Sequence, residues 1–408
     1  MHLTIDRLGH QGDGIAHDAD GVAVFVPMML PGEVVEGEVA NGRMAAPKIV
    51  TPSPDRVKAP CRHYRACGGC MLMHASDAFV ADWKAEVIRL ALSAQGLDAP
   101  LRPTATSPAR SRRRATLSGR RLKSGALVGL HARASDTVVE ITDCQLLHPA
   151  LMATLPALQE AVVLGGSRKG EVAFTLTLTK SGVDVAAEGG KPLDSSLFQA
   201  LATLAGAADL ARLSWNGEPV ATRRPPAQRF GEALVVPPPG AFLQATAEGE
   251  AALLSAVRAA VGGASRIADL FCGCGTFALP LAEGAEVHAA EGEAAMIAAL
   301  DHGWRHAPGL RRVTTETRDL FRRPLMPDEL NRFDAVVIDP PRAGCEAQAR
   351  ELAASKVPVI AAVSCNPVTF ARDARILSEG GYRLGWVLPV DQFRWSPHVE
   401  LAARFSRD

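Results

Sequence analysis

The sequence predicts an α/β protein. Its last third reads as a doubly wound parallel sheet, preceded by a small antiparallel β-barrel and a mixed α+β middle domain. Three observations carry this. Residues 1–55 alternate short apolar runs with glycines. Residues 56–240 mix helical and strand patterns around a cysteine-rich loop. From 241 to 408, strand and helix patterns alternate, and four successive strands end in acids. A length of 408 residues accommodates these three domains.

In the first domain, Gly12, Gly14 and Gly21 punctuate the chain before the strand-like run Val22 to Val26, and Pro31-Gly32 turns it into Val34-Val35. This is the pattern of a small OB-like barrel. Eight acids against three bases make it a poor general phosphate binder. Thr51 to Pro54 is a linker.

Over the whole chain Lys+Arg and Asp+Glu both number 44, so total charge names no partner. The distribution is more informative. Arg56 to Arg133 holds 15 Lys and Arg against four acids, Asp77, Asp82, Glu86 and Asp98. That excess suits a polyanion such as nucleic acid. Within it, Arg110 to Ser118 reads as a strand, with Arg112, Arg113 and Arg114 projecting to both faces and available for bidentate phosphate contacts. Residues 77–96 read as an amphipathic helix stopped by Gly96, and Val172 to Leu178 with Val183 to Ala187 as a hairpin. The Pro-rich stretch Val236 to Gly240 closes the domain. No apolar run approaches the roughly 18 residues of a membrane span, and no signal-peptide pattern opens the chain. A cytoplasmic protein without a membrane partner is expected.

In that compartment the eight cysteines are expected as ligands or nucleophiles rather than disulfides. Cys61, Cys67 and Cys70 fall close together, with Gly68-Gly69 allowing close backbone approach. A tetrahedral ion or a cubane cluster needs a fourth thiolate, for which Cys144 is the candidate. Zinc and iron–sulfur are both open to four thiolates. The spacing is not that of radical enzymes.

The last third opens with a helical pattern, Ala247 to Val261. Arg266 to Thr276 then runs from a strand through Asp269 into a Gly273-x-Gly275 turn, where a ligand can approach the backbone. The next strand, Glu286 to Ala290, ends in Glu291, whose carboxylate can accept both hydroxyls of a ribose. Asp319 ends a third segment. Phe333 to Ile338 runs into Asp339-Pro340-Pro341-Arg342. Val357 to Val363 leads into Ser364-Cys365-Asn366-Pro367, and a helix continues to Leu377 before Gly380-Gly381. Cys365 therefore meets the positive end of a helix dipole, which is expected to lower its pKa. Alone, a cysteine there is simply a small buried residue. The strand-terminal acids place a ligand crevice at the carboxyl edge of the sheet. The arrangement resembles a class I, Rossmann-like S-adenosylmethionine methyltransferase.

Amino-group methylases carry an aromatic residue after Asp-Pro-Pro, where Arg342 stands; cytosine-C5 RNA enzymes place a cysteine where Pro341 stands. Here the cysteine comes one strand later, and Asp391 to Glu400 follows with His398-Val399-Glu400. Together with Phe242-Leu243-Gln244, the four cysteines and a TRAM-like barrel, these motifs resemble the uridine-C5 RNA methyltransferases of the TrmA/RumA type over nearly the whole chain. The members acting on 23S rRNA are the most similar. The resemblance implies a [4Fe-4S] cluster on Cys61, Cys67, Cys70 and Cys144. It implies contacts to S-adenosylmethionine from Gln244, Phe271, Thr276, Glu291, Asp319 and Asp339. Thr276 and Asp319 stand where some members have Asn, and Ala245-Thr246 follows Gln244 where Val-Asn is common. The chemistry agrees. C5 of uracil is a poor nucleophile until a thiolate, Cys365, adds at C6 and makes C5 carbanionic. A base, Glu400, must then remove the C5 proton so that the thiolate can leave. A monomer acting on RNA is expected, on rRNA ahead of the tRNA T-loop, because bacterial tRNA-specific relatives usually lack the barrel and the cluster. An inactive RNA-binding or assembly factor is the alternative from another class; the presence of both Cys365 and Glu400 argues against it.

Overall fold

A computed structural model describes residues 1–407. At the N-terminus two three-stranded antiparallel sheets form, one from His2–Thr4, Val34–Glu36 and Lys48–Thr51, the other from Arg7–Leu8, Gly14–His17 and Ala23–Val26. They share a core of Leu3, Ala16, Val24, Val26, Val35 and Met44. Glu33, with no exposed surface, takes hydrogen bonds from Arg56 and from the N–H groups of Leu30 and Ser53, tying this unit to the chain that follows.

The middle region is built on a seven-stranded sheet, in spatial order Val138–Glu140, Ala126–His131, Arg114–Arg121, Glu171–Thr179, Gly182–Glu188, Arg212–Trp215 and Glu218–Thr222. Glu171–Thr179 and Gly182–Glu188 pair as the expected hairpin. Helices Leu155–Gly165 and Ser195–Ala207 cover one face, around a core that includes Leu117, Phe174, Val185, Leu201 and Trp215. Trp215 is fully buried because Gly165 and Gly190 leave room for it; a Cβ at either would lie 2.4 and 2.0 Å from its ring. Burying an aromatic of this size stabilises the fold by about 2–3 kcal/mol.

The C-terminal sheet has eight strands, labelled here β1 (Ala105–Thr106), β2 (Arg266–Leu270), β3 (Glu286–Glu291), β4 (Val313–Thr317), β5 (Ala335–Ile338), β6 (Val359–Ser364), β7 (Arg383–Asp391) and β8 (Glu400–Ser406). Their order is β4-β3-β2-β5-β6-β8-β7-β1. The neighbours from β4 to β6 are parallel, and β8 runs antiparallel to both β6 and β7. Both faces are covered, so the central strands β5 and β6 are apolar nearly throughout, whereas the edge strand β4 is mostly threonine. Alternate residues feed two cores. Ile267, Ala335 and Val337 join Leu253 and Val257 of the helix Ala247–Val261. Leu270, Val336 and Ile338 join Ile88 and Leu92 of the helix Asp77–Ser93 and Phe370 and Leu377 of the helix Pro367–Glu379.

That second core alters the expected organisation. Residues 77–106, assigned by sequence to the middle domain, pack on the C-terminal sheet: their helix lies against Pro367–Glu379 and their strand pairs with β7. The arginine run also differs. The strand begins at Arg114, and none of the three side chains is a free surface cation. Arg113 pairs with Glu250 and donates to the carbonyl of Gln244, Arg114 donates to the carbonyls of Gly240 and Ala241, and Arg112 donates to the carbonyl of Arg114. Arg113 and Arg114 join the middle sheet to the start of the C-terminal domain, where backbone acceptors 126 or more residues away satisfy them.

Candidate active site

In a parallel sheet every strand ends at the same edge, so strand-terminal residues converge there. Asp269 is the last residue but one of β2, Glu291 ends β3, Asp339 follows β5 and Cys365 follows β6. Glu400 arrives differently. Because β8 is antiparallel to β6, its first residue lies where β6 ends; Ser364 pairs with Leu401. The cysteine and the carboxylate, far apart in sequence, become neighbours.

One open cleft of about 1430 Å³ lies along this edge. Gln244, Phe271, Thr276, Glu291, Asp319, Asp339, Cys365 and Glu400 all line it. Phe271 sits at φ +61°, a left-handed conformation that is strained for a bulky residue, and Gly273 and Gly275 follow at +54° and +95°. The kink swings the turn's backbone toward the cleft. Glu291 caps that turn, accepting from the N–H of Gly273 at 3.2 Å and of Gly292 at 2.6 Å. Asp319 accepts from the N–H of Phe321 at 3.0 Å. Phe321 tilts against Phe271 with ring centroids 5.4 Å apart, making an apolar wall with Met296. Sequence reasoning did not single out Phe321 or Met296, since neither sits at a strand end.

The Asp339-Pro340-Pro341-Arg342 loop is tied to the helix that follows Cys365. Asn366, which caps that helix through the N–H of Val368, also donates to the carbonyl of Arg342 at 3.0 Å, as does Thr369 at 3.1 Å. Cys365 is thereby held beside Asp339 and Arg342.

The electrostatics are anionic and dry. Burial pushes Asp339 up to about 7. Glu400 is pushed up to about 8 by burial and then by Asp339, while a hydrogen bond from Gln392 pulls the other way. Asp269 is fully buried, raised well above the usual carboxylate range by burial and by Asp339, and neither of its oxygens has a partner. The helix-dipole expectation for Cys365 does not hold. Burial, then Glu400 and Asp339, push its thiol up to about 11, and Arg342 only partly opposes them. Carboxylates of Glu291, Asp319 and Asp339 beside the backbone of a glycine turn and an apolar wall fit a ligand that is cationic at one end and carries hydroxyls, as S-adenosylmethionine does.

A second, small cavity is lined by Cys61, Cys67, Cys70 and Cys144. All four are free thiols. Gly68 and Gly69 let the loop lie against the strand Ala126–His131; Cβ atoms there would fall 2.8 Å from the carbonyl of His131 and 2.9 Å from Leu130. Burial raises the thiols of Cys67, Cys70 and Cys144, and their mutual repulsion raises Cys67 and Cys70 further. The N–H groups of Gly69 and Leu147 point at the sulfurs of Cys67 and Cys144. Among the described residues, no three His, Cys, Asp or Glu side chains converge tightly enough to hold a single metal ion.

Comparison with known proteins agrees with the geometry. Residues 306–407 match the tRNA (uracil-5-)-methyltransferase family. An uncharacterized RNA methyltransferase of Brucella suis is 46% identical over 401 residues, covering 98% of this chain and 96% of that protein. The 23S rRNA (uracil(1939)-C(5))-methyltransferase RlmD of Halomonas elongata is 34% identical over 98% of this chain and 88% of its own. Among solved structures, the tRNA (uracil-54, C5)-methyltransferase of Pyrococcus abyssi, in complex with S-adenosyl-L-homocysteine, superposes with a TM-score of 0.78 at 23% identity, covering 99% of both chains; it shares the fold. On whole-length identity to such relatives, this chain belongs to the S-adenosylmethionine-dependent uracil-C5 RNA methyltransferases.

Proposed function

We propose that the enzyme methylates C5 of a uridine in large-subunit ribosomal RNA through a covalent adduct on Cys365. The observation that carries the mechanism is the meeting of Cys365 and Glu400 in one cleft with the carboxylates expected to hold the methyl donor. The donor supplies an electrophilic methyl group on a sulfonium, and its positive charge in this anionic cleft favours the thiolate. The Cys365 thiolate forms a bond to C6 of uracil, and the electron pair moves into the ring as an enolate. C5 takes the methyl group as the sulfur–methyl bond breaks. Glu400, ionised above its pKa of about 8, takes the C5 proton, the C5–C6 double bond re-forms, and the Sγ–C6 bond breaks to release the Cys365 thiolate, leaving the proton on Glu400. A stacked uridine must leave its helix to enter the cleft, at a cost of a few kcal/mol. The choice of rRNA rests on the RlmD relative, which covers nearly the whole chain.

We assign Cys61, Cys67, Cys70 and Cys144 to a [4Fe-4S] cluster. Four half-buried thiols line one cavity and repel one another as thiolates unless a cationic group sits among them, and four thiolates are the ligand set of a cubane cluster.

The test has two arms. Mass-spectrometric mapping of 5-methyluridine in rRNA and tRNA from a deletion strain should show one rRNA position lost; loss from the tRNA T-loop instead would reassign the substrate. With the RNA so identified, Glu400→Gln should slow release about 100-fold. It should leave a protease-sensitive protein–RNA band on a denaturing gel, absent when Cys365→Ala is added. Turnover by Cys365→Ala would end the covalent reading.

A further inference from the structure

Gln392 follows the last residue of β7, and no part of it reaches solvent. Its side-chain amide makes three hydrogen bonds. The backbone N–H of Ala245 donates to Oε1 at 2.7 Å. Nε2 donates to Oε1 of Gln244 at 2.5 Å and to Oε2 of Glu400. The first bond fixes the other two. A backbone N–H can only donate, so Oε1 must face Ala245 and both amide protons must face Gln244 and Glu400. A flipped amide would set N–H against N–H and a carbonyl against a carboxylate. Gln244 is oriented in turn: with its Oε1 occupied, its Nε2 faces Oδ2 of Asp339 at 3.4 Å.

The surroundings are shaped for this amide. Gly249, in the first turn of the helix Ala247–Val261, passes so close that a Cβ there would lie 2.6 Å from Cβ of Gln392. Among the described residues no other side chain donates a hydrogen bond to Glu400. The titratable groups that act on it, Asp339 and the Cys365 thiol, both disfavour its anion when charged. Gln392 is therefore the group that opposes them.

We propose that Gln392 is a positioning residue for proton removal: its pinned amide keeps the Glu400 carboxylate an acceptor beside Cys365, and the same amide orients Gln244 in the methyl-donor pocket. The inference rests on the reading of Glu400 as the base. Nothing in the charge or hydropathy pattern of the sequence marks this neutral residue.

The experiment isolates the base step. Parent enzyme, Gln392→Met and Gln392→Glu are allowed to form the covalent methylated adduct with S-adenosylmethionine and an unmodified transcript of the RNA found by the mapping above. They are then moved to a series of pH values, and the decay of the protease-sensitive band is timed. In the parent, release should speed up as pH rises through about 8, as Glu400 ionises. Losing a hydrogen bond to a charged group should move that rise upward by about one to two pH units in Gln392→Met. In Gln392→Glu the donor becomes a second acid, and the rise should move further still. A merely structural role would lower the rate equally at every pH and would not rank the two variants. Rises at the parent pH in folded variants overturn the proposal. If Gln392→Met does not fold, Gln392→Glu decides alone, being isosteric with the parent. Glu400→Gln in parallel separates the two readings. Parent-rate release there removes Glu400 as the base, whereas a trapped adduct with unmoved profiles removes only Gln392.

Discussion

The Cys365 thiol of the free enzyme should be a poor nucleophile at neutral pH, and its poverty should depend on Glu400 only in part of the pH range. Its pKa stands at about 11. At pH 8, about three units lower, roughly one thiol in a thousand is ionised, against about a quarter for an ordinary cysteine. The more basic thiolate is intrinsically more reactive, which recovers about tenfold, so alkylation should run roughly 20-fold slower than at an unhindered thiol. Glu400 contributes to this only when charged. Below about pH 8 it is protonated, and Glu400→Gln should react like the parent. Above that pH the parent gains a carboxylate beside the thiol and the variant does not. The variant should then react faster, by less than tenfold because burial is the larger cause of the shift. Iodoacetamide time courses between about pH 6.5 and 10, read on the Cys365 peptide by mass spectrometry, resolve this residue from the other cysteines. A thiolate titrating below pH 8 would refute the burial argument. A variant faster by one factor at all pH values would refute the assignment of the effect to Glu400 ionisation.

The protein purified without oxygen should be brown and carry iron and sulfide in equal amounts; a colourless protein with one zinc per chain would remove the cluster assignment. Arg113→Ser should lower stability by about 2 kcal/mol or more, because it leaves the half-enclosed Glu250 without its partner, and should weaken S-adenosylmethionine binding through the Gln244 carbonyl; urea melts and calorimetric titration check both. An unchanged melt with only a flatter salt dependence of RNA binding would restore the arginines to a phosphate role. Lys84→Met strands the buried Asp391 and should cost about 3–5 kcal/mol, whereas Lys84→Met with Asp391→Leu should cost much less; equal losses would mean that packing, not charge, is at stake.

What could be read from the sequence follows from what is local. Strand-terminal acids were legible because the ends of parallel strands share an edge by construction, so Glu291 and Asp339 could be placed in one crevice before any contact was known. The helix Ala247–Val261 was legible from its periodicity alone. Tertiary terms were not. The dipole at Cys365 is a property of one helix, but the burial and the two carboxylates that outweigh it come from β5 and β8. The charges of Arg112, Arg113 and Arg114 were visible, yet the carbonyls of Gly240, Ala241 and Gln244 that accept from two of them lie far along the chain. The periodicity of residues 77–96 gave a helix without saying which core it joins. Gln392 stood in plain view inside a motif, but an amide's role depends on which donor pins it.

The segment between β7 and β8 also shows why the N-terminal half matters to the chemistry. It carries Gln392 and delivers Glu400, so its path sets where the proposed base stands. Three anchors fix that path, and all come from residues before 100. Lys84 pairs with Asp391 at 2.5 Å with neither side chain in solvent, and Arg394 pairs with Asp77 at 2.6 Å. Trp395 holds φ at +61°, strained for an aromatic, and its carbonyl accepts from the N–H groups of Met71 at 2.7 Å and Leu72 at 2.9 Å. Its indole lies in a small core with Tyr64, Met73 and Leu146, against which Cys61, Cys70 and Cys144 pack. The cysteines lie some two hundred residues or more from Cys365 in sequence, yet Met71 and Leu72, directly after their loop, hold the turn that leads to Glu400. Binding energy gained among those thiols would be folding energy for this turn. A group held by those thiols would thus act on the site through the fold, by keeping in place a strained aromatic that stands five residues before Glu400.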